Sequence, residues 1–277
     1  SAPKHPGYYA LYLSTADSNF VTGSYLQNAA GSWIRLHSGS DYNTISMSTM
    51  VSAAVGHAAL YLSGSSSNTI VDSYILGSTA VYISGSTGTV IGGSVLVATN
   101  TIGSALALGG GSVNLTLTTS AVSGGTTGAA IFLYPGNSGS IVLTSNTVSG
   151  GSVGVSIATM SCGGTCNGNV SISSMIFSGP LTAGATAIQF TGGAFIATFT
   201  HVNFGAANIR VDVNGSALNT ASRITMRLDS GAQTGPAYEN DVNSLVDWAD
   251  YVQFPGCDLT KNVHQTNGPY LSISAAL

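Results

Sequence analysis

The chain has 277 residues, and only 6% of them are Asp, Glu, Lys or Arg, whereas about a quarter is usual for soluble domains. The formal net charge of −4 comes with no basic stripe that would neutralise a run of phosphates, which excludes a nucleic-acid partner. The hydrophobic content of 44% is too high for a disordered low-complexity chain. We therefore expect a folded protein whose surface is covered by hydroxyl and amide groups.

An apolar-x-apolar element recurs along most of the chain at intervals of 21 to 33 residues. Its apolar pairs are, in chain order, Leu11/Leu13, Ile34/Leu36, Leu60/Leu62, Val81/Ile83, Leu106/Leu108, Ile131/Leu133, Val155/Ile157, Ile188/Phe190 and Ile209/Val211. The one long interval contains the Gly-rich loop from 162 to 166, which we interpret as an insertion. Self-similarity at a nearly fixed period is typical of a repeat architecture.

Two further apolar registers recur within the same period, so each repeat holds three short alternating segments. One register contains Leu26, Val51, Ile75, Leu96, Val122, Val148, Ile176, Phe204 and Leu228. Short segments rich in β-branched residues and separated by Gly, Ser and Asn are typical of strands joined by tight turns. We predict an all-β, single-stranded parallel β-helix over residues 1–228, a solenoid of about nine coils with three short strands per coil.

The segments from Leu60 to Ile75 and from Asp41 to Ile45 resemble coils of the right-handed parallel β-helix superfamily. This superfamily is pectin-lyase-like and includes pectate lyases, phage tailspikes and periplasmic NosD-like repeat proteins. The resemblance covers roughly residues 8 to 228 and concerns the fold. It implies right-handed coils and Asn stacking in the turns. It brings no catalytic motif to this chain, so the function has to be argued from the residues themselves.

The last segment, 229–277, leaves the repeat and is predicted to cap one open end of the solenoid. Asn240 is a suitable helix N-cap. Apolar residues then follow the helical period at Val242, Leu245, Val246, Ala249 and Val252. We predict one short amphipathic helix in this segment.

Cys162 and Cys166 lie in a Gly-rich loop, and Cys257 stands alone. A local disulfide between the first two suits an oxidising compartment, and two free thiols are the alternative. The pair lacks the second pair or nearby His of a zinc site, so we predict no metal and no cofactor.

No apolar run approaches the roughly 18 to 20 residues that span a bilayer, so no membrane span is predicted. The start at Ser1 shows neither an initiator Met nor a signal peptide, and we expect a processed or excised end. Three N-glycosylation sequons begin at Asn114, Asn169 and Asn214. In a chain this rich in Ser, Thr and Asn they are expected by chance.

The sequence from Ser73 to Ile209 contains no Asp, Glu, Lys or Arg, which leaves few groups for general acid-base catalysis. One alternative site remains near the N-terminus, where Asp17 and Asp41 fall near the same turn of adjacent coils with His37 at its edge. Stacked carboxylates raise one another's proton affinity or recruit a cation. We instead expect both Asp side chains to hydrogen-bond backbone in their turns.

A different pattern indicates a contact surface. The residue between the two members of each apolar pair points outward, and on the third strand the residue before the inward one does so. The resulting stripes contain the predicted binding residues Tyr12, Arg35, Tyr61, Tyr82, Phe132, Tyr25 and Tyr74. Exposed aromatic and Arg side chains are favoured at contact surfaces, although Tyr and Phe also suit a pleated sheet that binds nothing.

We interpret the chain as a structural or adhesive rod outside the cell or at its surface, without catalytic activity, that self-associates as a filament or homo-oligomer. The alternative is a polysaccharide-binding or polysaccharide-degrading β-helix of the tailspike or lyase kind, with glycans as partners. A groove lined by several acids would favour an enzyme.

Overall fold

The computed structural model describes residues 9–28, 34–158, 169–178, 185–191, 196–200, 202–203, 209–213, 223–227, 238–239 and 246–247. These residues form an all-β, right-handed parallel β-solenoid, as the repeat and the resemblance predict. Within the described ranges every regular element is a strand. Accordingly, no helix long and apolar enough to cross a membrane occurs in that part of the chain.

The strands of the first four coils are β1 (Leu11–Ser14), β2 (Phe20–Thr22), β3 (Tyr25–Asn28), β4 (Ile34–His37), β5 (Thr44–Ser46), β6 (Thr49–Ser52), β7 (Ala58–Ser63), β8 (Thr69–Val71), β9 (Tyr74–Gly77), β10 (Thr79–Ser84), β11 (Thr87–Gly92) and β12 (Val95–Ala98). The next three coils contain β13 (Leu106–Leu108), β14 (Val113–Thr118), β15 (Ala121–Ser123), β16 (Ala129–Leu133), β17 (Ser138–Thr144), β18 (Thr147–Ser149), β19 (Val153–Ile157), β20 (Asn169–Ser173) and β21 (Ile176–Phe177). The remaining strands are β22 (Thr186–Phe190), β23 (Ile196–Thr200), β24 (Ile209–Val213), β25 (Arg223–Arg227), β26 (Tyr238–Glu239) and β27 (Val246–Asp247).

Three parallel sheets run along the solenoid, each made of one strand per coil. The first sheet has ten strands in the order β1-β4-β7-β10-β13-β16-β19-β22-β24-β26. The second has ten strands, β2-β5-β8-β11-β14-β17-β20-β23-β25-β27, and the third has seven, β3-β6-β9-β12-β15-β18-β21. Seven coils therefore have all three strands within the described residues, and the nine three-stranded coils predicted from the repeat are not confirmed.

Backbone pairing in register aligns the inward residues of successive coils. Leu62 pairs with Leu36 of the preceding coil and with Ile83 of the following one. All the predicted apolar pairs from Ile34/Leu36 to Ile188/Phe190 are buried, with at most 2% of each side chain exposed. Burial of such side chains removes apolar surface from water in a continuous column, and this is the main stabilising term of the fold.

The third strand differs from the predicted pattern at two coils. Met50 and Phe177 are the inward residues there, both fully buried, whereas Val51 is half-buried and Ile176 is 45% exposed. The backbone pairing explains the difference, since β6 aligns Met50 with Leu26 and Ile75, and β21 aligns Phe177 with Val148. The apolar spacing in the sequence therefore indicated the residue after the inward one in β6 and the residue before the inward one in β21.

Buried polar ladders close the turns between the sheets. The backbone N–H of Ser24 donates to Ser48 Oγ at 3.2 Å, and the N–H of Ser48 donates to Ser73 Oγ at 3.2 Å. In another turn the N–H of Asn43 donates to Asn68 Oδ1 at 2.9 Å. These bonds satisfy buried amides that have no strand partner, at positions where unpaired groups would be costly. The Asn stacking implied by the resemblance is present in this turn.

The helix predicted around Val242 to Val252 is not confirmed. In that range the described residues are Val246–Asp247, which form strand β27 and pair in parallel with β25 through Ile224 and Val246. The chain at this position thus adds a strand to the second sheet. The boundary between 1–228 and 229–277 stays a prediction, because most of the second segment lies outside the described residues.

Two neighbouring residues of β14 test the inward and outward assignment. Leu117 is fully buried in the core and Thr116 faces outward on the same strand. We expect Leu117→Ala to lower the free energy of unfolding by about 2 to 5 kcal/mol, because it leaves a cavity in the column. Thr116→Ala should lower it by less than about 1 kcal/mol. Urea unfolding measures both, and equal losses would contradict the assignment.

Candidate binding surface

Aromatic side chains line the outward face of the first sheet from its first coil to its sixth. We call this set the aromatic surface; it consists of Tyr9, Tyr12, Arg35, His37, Tyr61, Tyr82, Phe132 and Tyr134. The middle position of each strand supplies Tyr12, Arg35, Tyr61, Tyr82 and Phe132, as predicted from the alternation. Five steps between strands make the surface about 24 Å long, parallel to the solenoid axis.

Neighbouring rings of the aromatic surface contact one another, both between adjacent coils and within one coil. Tyr61 and Tyr82 stack with ring centroids 5.2 Å apart and an interplanar angle of 22°. The rings of Phe132 and Tyr134 meet edge to face with centroids 4.4 Å apart. Both arrangements are favourable for aromatic pairs and hold the rings in fixed orientations. The surface is consequently ordered before any partner arrives.

A coil without bulky outward side chains lies beneath the middle of the surface. The ring centroids of Tyr82 and Tyr134 are only 6.4 Å apart, although two steps between coils separate their strands by about 9.6 Å. The coil between them carries Ala107 and Gly109, and a Cβ atom on Gly109 would lie 2.8 Å from the Tyr82 hydroxyl. The pattern placed Ala107 on the exposed face, but this residue is only 5% exposed because it lies between Tyr82 and Phe132 in the ladder.

Arg35 contacts aromatic side chains of the coils before and after its own. Its Nη1 donates a hydrogen bond to the Tyr9 hydroxyl at 2.9 Å, and its Nη2 lies 3.2 Å from Nδ1 of His37. The guanidinium carbon is 5.0 Å from the ring centroid of Tyr61, a cation–π distance. Among the described side chains on the outward face of this sheet, Arg35 supplies the one guanidinium group.

The predicted residues Tyr25 and Tyr74 lie elsewhere. They face outward from the third sheet, 66% and 39% exposed, with Thr49 between them in the ladder. The Tyr25 hydroxyl donates to Gln27 Oε1 at 3.2 Å. The structure therefore does not bring them together with the aromatic surface of the first sheet.

The alternative site is divided between two locations. Asp17 Oδ1 accepts the backbone N–H of Asp41 at 2.8 Å, and Asp41 Oδ1 accepts the N–H of Ser66 at 2.6 Å. Both carboxylates thus bond the next coil in the turn between the first and second sheets. His37 lies on the first sheet, facing Arg35 and Tyr12. No group of three or more His, Cys, Asp and Glu suited to a metal ion occurs among the residues that the structure describes.

Other residues singled out from the sequence lie largely beyond the described part. Cys162, Cys166, Cys257 and Asn214 fall outside it, so the disulfide stays a prediction. Asn114 is exposed in β14, and its Oδ1 accepts the backbone N–H of Ser140 at 2.7 Å. This sequon asparagine therefore takes part in the coil-to-coil bonding of a turn.

Two residues of the aromatic surface, Tyr9 and Tyr134, were missed by the sequence pattern. Tyr134 follows Phe132 by two residues, so extending the alternation by one more outward position would have found it. Tyr9 precedes β1, and its ring stacks on that of Tyr12 with centroids 4.7 Å apart. No periodic signal marks Tyr9, because it lies outside the strand.

Comparisons with known proteins do not indicate a function for this chain. No family model matches the chain, and no curated protein matches it. Among solved structures, the chain is similar to the catalytic domain of a GH87 alpha-1,3-glucanase in complex with tetrasaccharides, at 12% sequence identity and a TM-score of 0.45. The similarity covers 92% of this chain and 70% of that chain. A likeness of this size carries no information on what this chain binds.

Two substitutions at Asp41 separate the effect of its negative charge from the effect of its hydrogen-bond acceptor oxygen. Asn keeps the Oδ1 acceptor for the Ser66 N–H, so Asp41→Asn should change the free energy of unfolding by less than about 0.5 kcal/mol. Asp41→Ala removes the acceptor and should lower it by about 1 to 2 kcal/mol. Urea unfolding at neutral pH compares the two. Similar losses in both variants would show that the negative charge matters, as a carboxylate site requires.

The Tyr82 hydroxyl makes the stability of the folded protein depend on pH in the alkaline range. Burial raises the pKa of Tyr82 above its ordinary value of 10.0, the nearby Tyr61 and Tyr134 raise it further, and a hydrogen bond with Ser84 lowers it. The folded state then holds this proton more tightly than the unfolded chain, so the stabilisation is complete below pH 10 and is lost as the pH rises through the folded pKa.

We therefore expect thermal stability to fall above pH 10, and to fall less steeply in Tyr82→Phe, which has no proton to lose. Melting temperatures of both proteins, measured from neutral pH to beyond pH 10, provide the comparison. Tyr42→Phe, at a residue that is 65% exposed in a turn, is the matched control. An identical alkaline fall in Tyr82→Phe and in the unaltered protein would contradict the burial of Tyr82.

Proposed function

We propose that this β-solenoid is an extracellular rod whose aromatic surface binds a linear polysaccharide lengthwise and does not cleave it. The observation that carries the proposal is the row of outward side chains along the solenoid axis. In this row Tyr12 lies beside His37, Arg35 contacts Tyr61, and the rings of Tyr61, Tyr82 and Tyr134 follow one another. A ligand that extends parallel to the axis meets an aromatic ring or Arg35 on most coils. A compact ligand would use only one part of the surface.

The chemistry of the surface matches a sugar chain. Sugar rings have apolar C–H faces and hydroxyl edges, and sites for such ligands combine aromatic area with a few polar groups. Tyr12 and Tyr134 are the more exposed rings, at 45% and 43%, and supply both apolar area and a hydroxyl. Arg35 adds hydrogen-bond donors near the N-terminal end. Tyr61 and Tyr82 are half-buried and support the row from within.

The distribution of acids favours binding over cleavage. Glycoside hydrolysis usually requires two carboxyl groups about 5 to 9.5 Å apart beside the sugar. The described side chains of the aromatic surface include no Asp or Glu. The nearest carboxylates by coil, those of Asp17 and Asp41, accept backbone hydrogen bonds in a turn outside this sheet.

Self-association is a second candidate for the same surface. Exposed aromatic rings with a single nearby cation are typical of protein contact surfaces, where Tyr and Arg are favoured anchors. Two solenoids placed side by side would cover Tyr12 and Tyr134 of each copy. This function gives the structural or adhesive rod that the composition also favours.

The experiment measures glycan binding and oligomeric state on the same variants. Affinity electrophoresis through gels containing soluble polysaccharides should retard the unaltered protein with at least one of them. The double variant Tyr12→Ser/Tyr134→Ser should bind at least about tenfold more weakly, since two exposed aromatic contacts are lost. Tyr42→Ser removes an exposed Tyr in a turn and should bind like the unaltered protein.

Three outcomes would count against the proposal. Sedimentation of a dimer or filament that the double variant abolishes, without glycan binding, would assign the surface to self-association. Release of reducing ends from a bound polysaccharide would show cleavage. A monomer that no polysaccharide in the panel retards would exclude both candidate functions of the aromatic surface.

A further inference from the structure

The outward face of the second sheet is built differently from the aromatic surface. We call it the threonine face; it consists of the two outward residues of each strand from β2 to β20. These are Phe20 and Thr22, Thr44 and Ser46, Thr69 and Val71, Val90 and Gly92, Thr116 and Thr118, Val142 and Thr144, and Ser171 and Ser173. Thr, Ser and Val thus occupy every position except those of Phe20 and Gly92.

Backbone pairing arranges these residues in a two-dimensional array. Across the outward positions every strand pairs with the next without a shift, for example Thr116 with Val142 and Thr118 with Thr144. Successive coils therefore repeat about every 4.8 Å along the axis, and the two columns lie about 6.7 Å apart across it. The array keeps both repeats over seven coils.

The side chains of the array are restrained before binding. Thr and Val are β-branched, which restricts their χ1 angle. Ser46 Oγ donates to Thr22 Oγ1 at 3.1 Å, and the hydroxyl oxygens of Thr144 and Ser173 lie 3.0 Å apart. Little rotamer freedom would be lost when such a face meets a rigid partner.

The face presents hydroxyl and methyl groups without charge. Its described side chains include no ionisable group, and Asp72 lies beyond its edge in a turn. An ion on this face would be an obstacle to a partner that cannot solvate it, because desolvating an unpaired charge is very costly. The partner that this surface complements is uncharged, rigid and periodic in two dimensions.

Ice has these properties. Its surface presents uncharged O–H donors and acceptors at fixed spacings, and the two repeats of the threonine face are close to the repeats of oxygen atoms on the prism face of hexagonal ice. Ordered hydroxyls provide hydrogen bonds to the lattice, and methyl groups of Thr and Val fill the space between them. We propose that the threonine face binds ice. This inference is independent of the polysaccharide proposed for the first sheet.

The test is ice-affinity partition combined with thermal hysteresis. When ice grows slowly from solution, the unaltered protein should be enriched in the ice fraction, whereas a globular control protein of similar size stays in the liquid. It should also lower the freezing point below the melting point. Thr116→Tyr places a bulky ring in the middle of the array and should abolish most of both effects.

Matched variants keep the test falsifiable. Thr147→Tyr makes the same change at an exposed position of the third sheet and should behave like the unaltered protein. Thr44→Tyr repeats the disruption at another coil, in case Thr116→Tyr does not fold as judged by circular dichroism. Equal loss in Thr147→Tyr, or no loss in the folded threonine-face variants, would overturn the proposal.

Exclusion of the unaltered protein from ice would likewise overturn it. In that case, pull-down by microcrystalline cellulose or chitin through the same residues would assign the face to a crystalline polysaccharide. Failure here leaves the glycan proposal for the aromatic surface intact, because Tyr12→Ser/Tyr134→Ser leaves the threonine face unchanged.

Discussion

The in-register pairing of equivalent strands is the interaction on which the rest of this structure depends. Each coil donates and accepts backbone hydrogen bonds with its neighbours, so a residue such as Leu62 lies directly between Leu36 and Ile83. The pairing builds the buried column and fixes a spacing of about 4.8 Å for every outward column. The polar ladders of the turns maintain this register, since the side chains of Ser48 and Asn68 accept hydrogen bonds from backbone N–H groups of the preceding coil.

One consequence is that the faces of the solenoid have separate chemistry at a common spacing. The first sheet carries contacting aromatic rings around Arg35, and the second carries small hydroxyl and methyl groups without charge. Because the same backbone repeat underlies both, each face can be altered without changing the other, provided the substituted residue points outward. Both proposed ligands are extended or periodic, as suits surfaces that repeat along an axis. The sparse charge of the chain is part of this design, since few ions interrupt either face.

The fold was predictable from the sequence because the apolar period equals the number of residues in one stacked coil. The details that were not predictable depend on neighbours in space. Met50, rather than Val51, is the inward residue of β6 because backbone pairing aligns it with Leu26 and Ile75 of the adjacent coils. Ala107 is buried by rings from adjacent coils, and Tyr134 reaches a ring two coils away. Alternation predicts the direction of a side chain, whereas contacts between outward side chains depend on their size.

Engineered cysteines test the register most directly. Thr116 and Val142 are backbone partners on the outward face of adjacent coils, while Thr116 and Thr144 are displaced by two residues. The double variant Thr116→Cys/Val142→Cys should be joined rapidly by a short thiol cross-linker, as detected in peptides by mass spectrometry. The variant Thr116→Cys/Thr144→Cys should react much more slowly, because its cysteines lie about 8 Å apart. Equal rates for the two pairs, or faster reaction of the displaced pair, would contradict the stacked register and with it both binding faces.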